Sequence, residues 1–179
     1  MAAAAGSDLY FEPAIGQFVH PGSVLFRIDG RAGPIDDDRL RRLAVIGKER
    51  TFEQDPAYGF RLLVDMANSA LSPAVNDPTT AVQVLDEIDD LLRMLAPRRL
   101  QGAFQSGEGA PWLCYRAQSW DDYVGLACSE IRHYGADQPQ VSRRMRAMLE
   151  DLKEIVPNDR RPALERQLEL LKELSLIHI

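Results

Sequence analysis

The chain has 179 residues, of which 45% are hydrophobic and 27% charged, enough for one domain or one domain with a small appendage. Its formal net charge is −6, whereas nucleic-acid-binding proteins usually carry an excess of basic residues, so we expect no nucleic-acid partner. The two cysteines are too few for a disulfide framework or a zinc site, and no apolar run reaches the roughly 18 residues of a membrane-spanning helix.

The N-terminal part is predicted to hold a short disordered start and a small β element. Residues 1–8 are rich in alanine, whereas 9–35 place apolar residues around a Pro-Gly turn, which indicates two short strands. The spacing Gly-x-x-Val-x-x-Gly-x-x-Leu over 16–25 is similar to the strand–turn–strand of biotinyl and lipoyl carrier domains. No lysine stands at the turn to carry a cofactor, so we predict a β element without a prosthetic group.

Residues 36–173 are predicted to form an α-helical domain. Ser, Asp and Pro residues that cap free amides or fit a first turn mark helix starts. These starts are Asp36 (for a short helix to Ile46), Asp55-Pro56, Asp77-Pro78 and Ser119, which has Asp122 three residues later. Gly135 is typical of a helix end. The fold class is therefore mainly α with a small N-terminal β element, an α+β protein with a helical bundle.

Apolar residues recur three or four positions apart in these segments, which predicts helices that bury one face in a bundle. The predicted stripes are Phe60, Leu63, Val64, Ala67 and Leu71; Ala81, Leu85, Ile88, Leu92 and Leu95; Trp120, Val124, Ala127, Ile131 and Tyr134; Val141, Met145, Met148, Leu152 and Ile155; and Leu164, Leu168 and Leu171. Between helices, 97–110 is predicted to be a loop and 112–116 a strand. The acidic run 86–90 is predicted to be a solvated helix face rather than a calcium site.

The last six residues, 174–179, read Leu-Ser-Leu-Ile-His-Ile. Translation of a transposase sequencing adapter would give the same hexapeptide, so we interpret 174–179 as an adapter artefact on a metagenomic fragment. The alternative is a genuine apolar end of the last helix.

The segment 50–81 carries an unusual density of polar residues. Thr79 and Thr80 lie in a predicted first helical turn, where free backbone amides could bind an anion. The alternative is that Asp77 caps the helix, because its carboxylate supplies a negative charge to the same amides. Arg61 and Asp65 are four residues apart and can pair on one helix face. A shared polar site would require the Arg61–Asp65 helix face and the helix start at Thr79 and Thr80 to lie close together in the fold.

Three motifs in this segment carry a family resemblance. They are Arg-Thr-Phe-x-Gln-Asp-Pro at 50–56, Leu-Val-Asp at 63–65, and Leu-Ser-Pro-x-x-Asn-Asp-Pro-Thr-Thr-Ala at 71–81. Ser-Trp-x-x-Tyr at 119–123 and Ile-Arg-x-Tyr-Gly at 131–135 extend the resemblance, which covers roughly 16–173. With these motifs the chain resembles a bacterial family of predicted membrane proteins, domain of unknown function 2254. The resemblance implies several N-terminal membrane helices followed by a soluble region, and no established reaction or catalytic residue.

We therefore expect the cytoplasm-facing region of a bacterial inner-membrane protein, joined to the membrane through helices outside this chain. It would act as a homo-oligomerisation or sensing module rather than as an enzyme, with no catalytic residue, metal ligand or cofactor. The alternative is a domain that binds a small molecule or an anion, with hydrolysis as one option. Its candidate ligand-binding residues are Arg50, Glu53, Gln54, Asp55, Arg61, Asp65, Ser72, Asn76, Asp77, Thr79 and Thr80.

Overall fold

The structure, a computed structural model, describes residues 7–30, 36–105 and 112–177, and side chains as far as Leu174. Several predictions therefore lie in part outside the described residues, namely the disordered start, the end of the β element, part of the loop 97–110 and the end of the adapter segment. Within the described residues the chain is mainly helical with one four-stranded sheet, which confirms the predicted α+β class.

Strands and helices are interspersed along the chain. They are β1 (Asp8–Phe11), β2 (Phe26–Asp29), α1 (Asp37–Arg41), α2 (Pro56–Ala70), α3 (Pro78–Leu95), β3 (Ala103–Gln105), β4 (Trp112–Tyr115), α4 (Trp120–Tyr134), α5 (Pro139–Ile155) and α6 (Arg161–Ile177). The chain divides into two compact units, the first made of 1–55 and 100–118 and the second of 56–99 and 119–179. None of the helices in the described part of the chain is long and apolar enough to cross a membrane.

The first unit contains the sheet, with strand order β2-β1-β4-β3. β1 is antiparallel to β2 and parallel to β4, while β3 and β4 are antiparallel. The predicted strand at 112–116 is thus confirmed as β4. The predicted loop 97–110 was wrong at β3, because a three-residue strand has too little alternation of its own and forms by pairing with β4. Similarly, the helix predicted from Asp36 ends at Arg41 rather than at Ile46.

The second unit is a bundle of α2 to α6. Helix α2 packs against α3 and α4, α3 against α5, and α6 against α4 and α5. The predicted apolar stripes form most of its core. The largest fully buried side chains are Leu85, Ile88, Leu92, Ile131, Met145, Met148, Leu149, Leu152, Leu164, Leu171, Val64 and Val124, of which Leu149 alone was not predicted. Tyr134 and Ile155 were predicted in these stripes but are exposed, because each is the last residue of its helix.

Helix ends in the bundle follow the local signals of the sequence. Asp77 accepts hydrogen bonds from the first-turn amides of α3, as a helix cap does. Ser119 and Asp122 form a reciprocal capping box at the start of α4, and Gly135 ends that helix. These short-range bonds fix where each helix begins and ends, so they also fix which polar side chains stand at those positions.

Candidate functional site

Arg50 and Asp55 form an ion pair that packs against the backbone of Gly16. The guanidinium of Arg50 donates from Nε to Asp55 Oδ2 at 3.0 Å, and from Nη2 to the same oxygen. Asp55 is buried, and its backbone N–H donates to the carbonyl of Thr51 at 3.0 Å. Gly16 has a φ of +78°, and a Cβ built there would clash with Asp55 Oδ2. The ion pair therefore lies where only glycine leaves room for it.

Glu53 and Gln54 lie between these two residues, and both are exposed. Their side chains form no hydrogen bond or ion pair with any other described residue. Of the four candidate residues in 50–55, the structure thus brings together Arg50 and Asp55 and leaves the other two facing solvent.

Arg61 is at the centre of a polar cluster of four residues, Arg61, Asp65, Asn68 and Glu130, which we call the α2–α4 cluster. The guanidinium contacts both carboxylate oxygens of Glu130, with Nη1 2.5 Å from Oε1 and Nη2 2.8 Å from Oε2. Asp65 Oδ1 accepts from Arg61 Nη2 at 2.8 Å, so the predicted pair is present. Asn68 Nδ2 donates to Glu130 Oε2 at 2.7 Å. A two-pronged arginine–carboxylate contact therefore joins the two helices.

The charges of this cluster stabilise one another. Hydrogen bonds from Arg61 hold the pKa of Glu130 below its ordinary value of 4.5, with a smaller contribution from Asn68. The bonds to Glu130 and then to Asp65 raise the pKa of Arg61. Both groups are therefore ionised at neutral pH. An anionic ligand at Arg61 would have to compete with a carboxylate that is already bound.

Replacing Glu130 by glutamine should give a small, pH-dependent loss of stability. The lowered pKa means that the ionised carboxylate stabilises the fold above pH 4.5 and loses this effect as the pH falls through the lowered value. We expect a decrease in the free energy of unfolding of at most about 1 kcal/mol at pH 7, since the pair is partly exposed. The difference should shrink below pH 4.5 in urea titrations. Glu87→Gln, at an exposed position on α3, is the control; an equal pH dependence there would contradict the assignment.

A third group of candidate residues surrounds the start of α3. Asp77 Oδ1 accepts the backbone N–H groups of Thr79 and Thr80, each at 3.1 Å, and Oδ2 accepts the Thr80 hydroxyl at 2.6 Å. The bonds from Thr80, and then that from Thr79, lower the pKa of Asp77. The carboxylate of Asp77 thus occupies the amides that an anion at this helix start would use.

The link between α2 and α3 is held by its own hydrogen bonds. Ser72 Oγ donates to the carbonyl of Ser69 at 2.7 Å, and the N–H of Asn76 donates to the carbonyl of Ser72 at 2.8 Å. Asn76 has a φ of +48°, a left-handed conformation that asparagine tolerates better than most residues. Its Oδ1 accepts from Gln138 Nε2 at 3.1 Å, which ties this link to the start of α5.

Sequence reasoning missed four partners of these groups, namely Gly16, Asn68, Glu130 and Gln138. Asn68 had a signal, since Arg61, Asp65 and Asn68 share one face of a helix at spacings of four and three. Glu130 had none, because it lies 69 residues from Arg61 along the chain. The polar density of 50–81 is thus explained in large part by contacts within the protein.

The prediction of a solvated acidic run on α3 was wrong for Asp89. This residue is buried, and its carboxylate accepts from Arg93 Nε at 2.8 Å and from Arg144 Nη2 at 2.8 Å. Arg144 also binds Asp86 at 2.5 Å, so one arginine of α5 bridges two carboxylates of α3. Within 7–30, 36–105 and 112–177 no three His, Cys, Asp or Glu side chains gather as a metal site.

The sheet presents one face that is wholly apolar or aromatic. Leu9 lies opposite Ile28 and Leu113, and Leu113 lies opposite Phe104, so one row crosses all four strands. The same face carries Phe11, Phe26 and Tyr115, because side chains alternate along a strand. We call these seven residues the apolar sheet face. Each of them is exposed or half-buried.

Comparisons with known proteins match the chain to mycobacterial relatives and to one protein family. The uncharacterized proteins Rv1290c and MT1328 of Mycobacterium tuberculosis and Mb1321c of Mycobacterium bovis are each 37% identical to it over 149 residues. The match covers 79% of this chain and 28% of each relative, so the chain spans less than a third of the length of these proteins. No solved structure matches the chain significantly. The model of a family described as "Predicted membrane protein (DUF2254)" matches residues 1–151, and the chain therefore belongs to that family.

Proposed function

We propose that this chain is a self-associating, non-enzymatic module on the cytoplasmic side of a bacterial inner-membrane protein. Its work would be to bring copies of that protein together, and thereby to sense or set their assembly. The observation that carries the proposal is the apolar sheet face.

A sheet normally buries at least one face against another layer. In the first unit, every described strand residue is exposed or half-buried, although seven side chains on one face are apolar or aromatic. Phe104, on the edge strand β3, is 59% exposed. A surface of this kind is typical of a contact with another protein.

The distribution of charge favours a second copy as the partner. Asp8, Arg27 and Asp29 alternate with the apolar residues and thus lie on the opposite face. There Arg27 stacks over the ring of Tyr10 at 4.0 Å. The apolar sheet face itself carries no charge, so two copies can meet through it about a two-fold axis without burying like charges.

The thiols support the cytoplasmic side. Cys114 and Cys128 are both free, as is typical of a reducing compartment. Burial raises the pKa of Cys128 to about 12, so this thiol stays protonated and unreactive. The pairing of Arg50 with Asp55 and of Arg61 with Glu130 supports a structural rather than a ligand-binding use of the polar segment.

The proposal is tested by the mass of the chain in solution. Multi-angle light scattering and sedimentation velocity of the whole chain should show a dimer or larger species that dissociates on dilution. Phe104→Asp should weaken association at least tenfold, because it places a charge in the apolar sheet face.

Met94→Asp is the matched control. Met94 on α3 is also 59% exposed, so the substitution adds the same charge at a site of equal exposure. Circular dichroism should show both variants folded. A strict monomer at high concentration, or equal weakening by both substitutions, would overturn the proposal.

A further inference from the structure

The segment that follows the buried Leu40 of α1 exposes apolar side chains in near succession. Leu43 is 65% exposed, Val45 77% and Ile46 68%. These values exceed that of any residue on the apolar sheet face, and the segment lies outside the four strands. Exposed apolar runs of this length are rare on the surfaces of soluble proteins unless they bind a protein or a membrane.

Four cations flank these side chains. Arg39, Arg41, Arg42 and Lys48 are all exposed, and none forms an ion pair with another residue in the described part of the chain. No acidic residue occurs from 39 to 48, although the whole chain carries a net charge of −6. Acidic residues lie on either side of this stretch. Asp36, Asp37 and Asp38 precede it, with Asp36 accepting the backbone N–H of Arg39, and Glu49 follows Lys48. We call 39–48 the basic–apolar segment.

We propose that the basic–apolar segment binds the surface of a lipid bilayer that contains anionic phospholipids. Leu43, Val45 and Ile46 enter the boundary between headgroups and acyl chains, while the flanking cations lie at the level of the phosphates. Basic side chains next to exposed apolar ones match such a surface in charge and polarity, and each cation adds to the affinity. The chain belongs to a family of predicted membrane proteins, so a bilayer is close to it.

This inference goes beyond self-association because it uses different residues and a different partner. The apolar sheet face is uncharged and fits another copy of itself. The basic–apolar segment itself carries four positive charges and no negative one, so an anionic lipid surface would attract it. The two surfaces can therefore be tested one at a time.

The experiment is co-sedimentation of the whole chain with phosphatidylcholine vesicles with and without phosphatidylglycerol. We expect binding to the anionic vesicles that weakens as salt is raised, and little binding to the neutral ones. Arg41→Gln combined with Arg42→Gln should weaken binding about 25-fold, because each cation contributes about fivefold. Val45→Ser combined with Ile46→Ser should also weaken it.

The controls remove similar groups elsewhere. Arg99→Gln with Arg143→Gln takes away two exposed cations outside the segment, and Met94→Ser removes an exposed apolar side chain. These should leave binding within about twofold of the parent chain. Absence of binding, equal binding to neutral and anionic vesicles, or equal losses in the controls would overturn the inference. Light scattering of the same variants keeps the outcome separate from self-association, since neither pair of substitutions touches the sheet.

Discussion

Replacing Gly16 by alanine should destabilise the chain by about 2–4 kcal/mol, whereas the same change at Gly22 should cost about 1 kcal/mol. Both glycines have a positive φ, +78° and +88° respectively, so alanine is strained at each. Only at Gly16 would the new Cβ also clash with Asp55 Oδ2 and lie 2.8 Å from Arg50 Nε. The excess at Gly16 therefore measures displacement of the Arg50–Asp55 ion pair.

Urea unfolding followed by tryptophan fluorescence measures both variants, because Trp112 lies in β4 of the first unit. Asp55→Ala in the Gly16→Ala background separates the two contributions. Removing the carboxylate takes away the clash, so the two substitutions together should cost less than the sum of their separate effects. Equal losses at Gly16 and Gly22 would show that backbone strain alone accounts for the effect.

Replacing Asp89 by alanine should lower the free energy of unfolding by about 2–3 kcal/mol, since it removes a buried carboxylate that binds Arg93 and Arg144 and leaves Arg144 with Asp86 alone. Arg93 and Arg144 retain side-chain exposures of 35% and 24%, so each can turn partly towards water, which keeps the loss below that of a fully buried pair. The Asp89 carboxylate is 9% exposed and contacts both of them.

Asp86→Ala provides the comparison, because Asp86 binds the same Arg144 but is 56% exposed. We expect that variant to lose about 1 kcal/mol or less. Chemical denaturation of the two variants under identical conditions measures the difference. Similar losses would contradict the view that burial of Asp89 gives this ion pair its importance.

Local signals predicted the helices well, because their physical causes lie within a few residues. Asp77 caps amides two and three positions ahead, and Ser119 and Asp122 bond reciprocally across one turn. The apolar spacing likewise predicted which faces of α2 to α6 are buried, except at helix ends such as Tyr134.

The contacts between distant segments could not be predicted in this way. Nothing near Arg61 indicates that Glu130 will face it, and nothing near Asp89 indicates Arg144, because helix packing decides both. From sequence alone, an acidic run on an amphipathic helix is predicted to be exposed to solvent, even where an arginine of another helix buries one of its carboxylates, as Arg144 does with Asp89. Ligand binding by the polar segment 50–81 therefore stays a prediction, while the internal partners of its residues emerged only from the packing.

The parallel pairing of β1 with β4 has a consequence for how the chain folds during synthesis. The carboxylate of Asp8 accepts the backbone N–H of Trp112, 104 residues further along, so β1 must wait until most of the chain has left the ribosome. Before then β1 has only β2 beside it, and an isolated two-stranded hairpin is marginal in water. The α2–α3 pair, by contrast, can form as soon as it is made, because its contacts are local. The α2–α3 pair is thus the early-folding part of the chain, and a recombinant fragment that stops after α3 would lack the strands that complete the sheet.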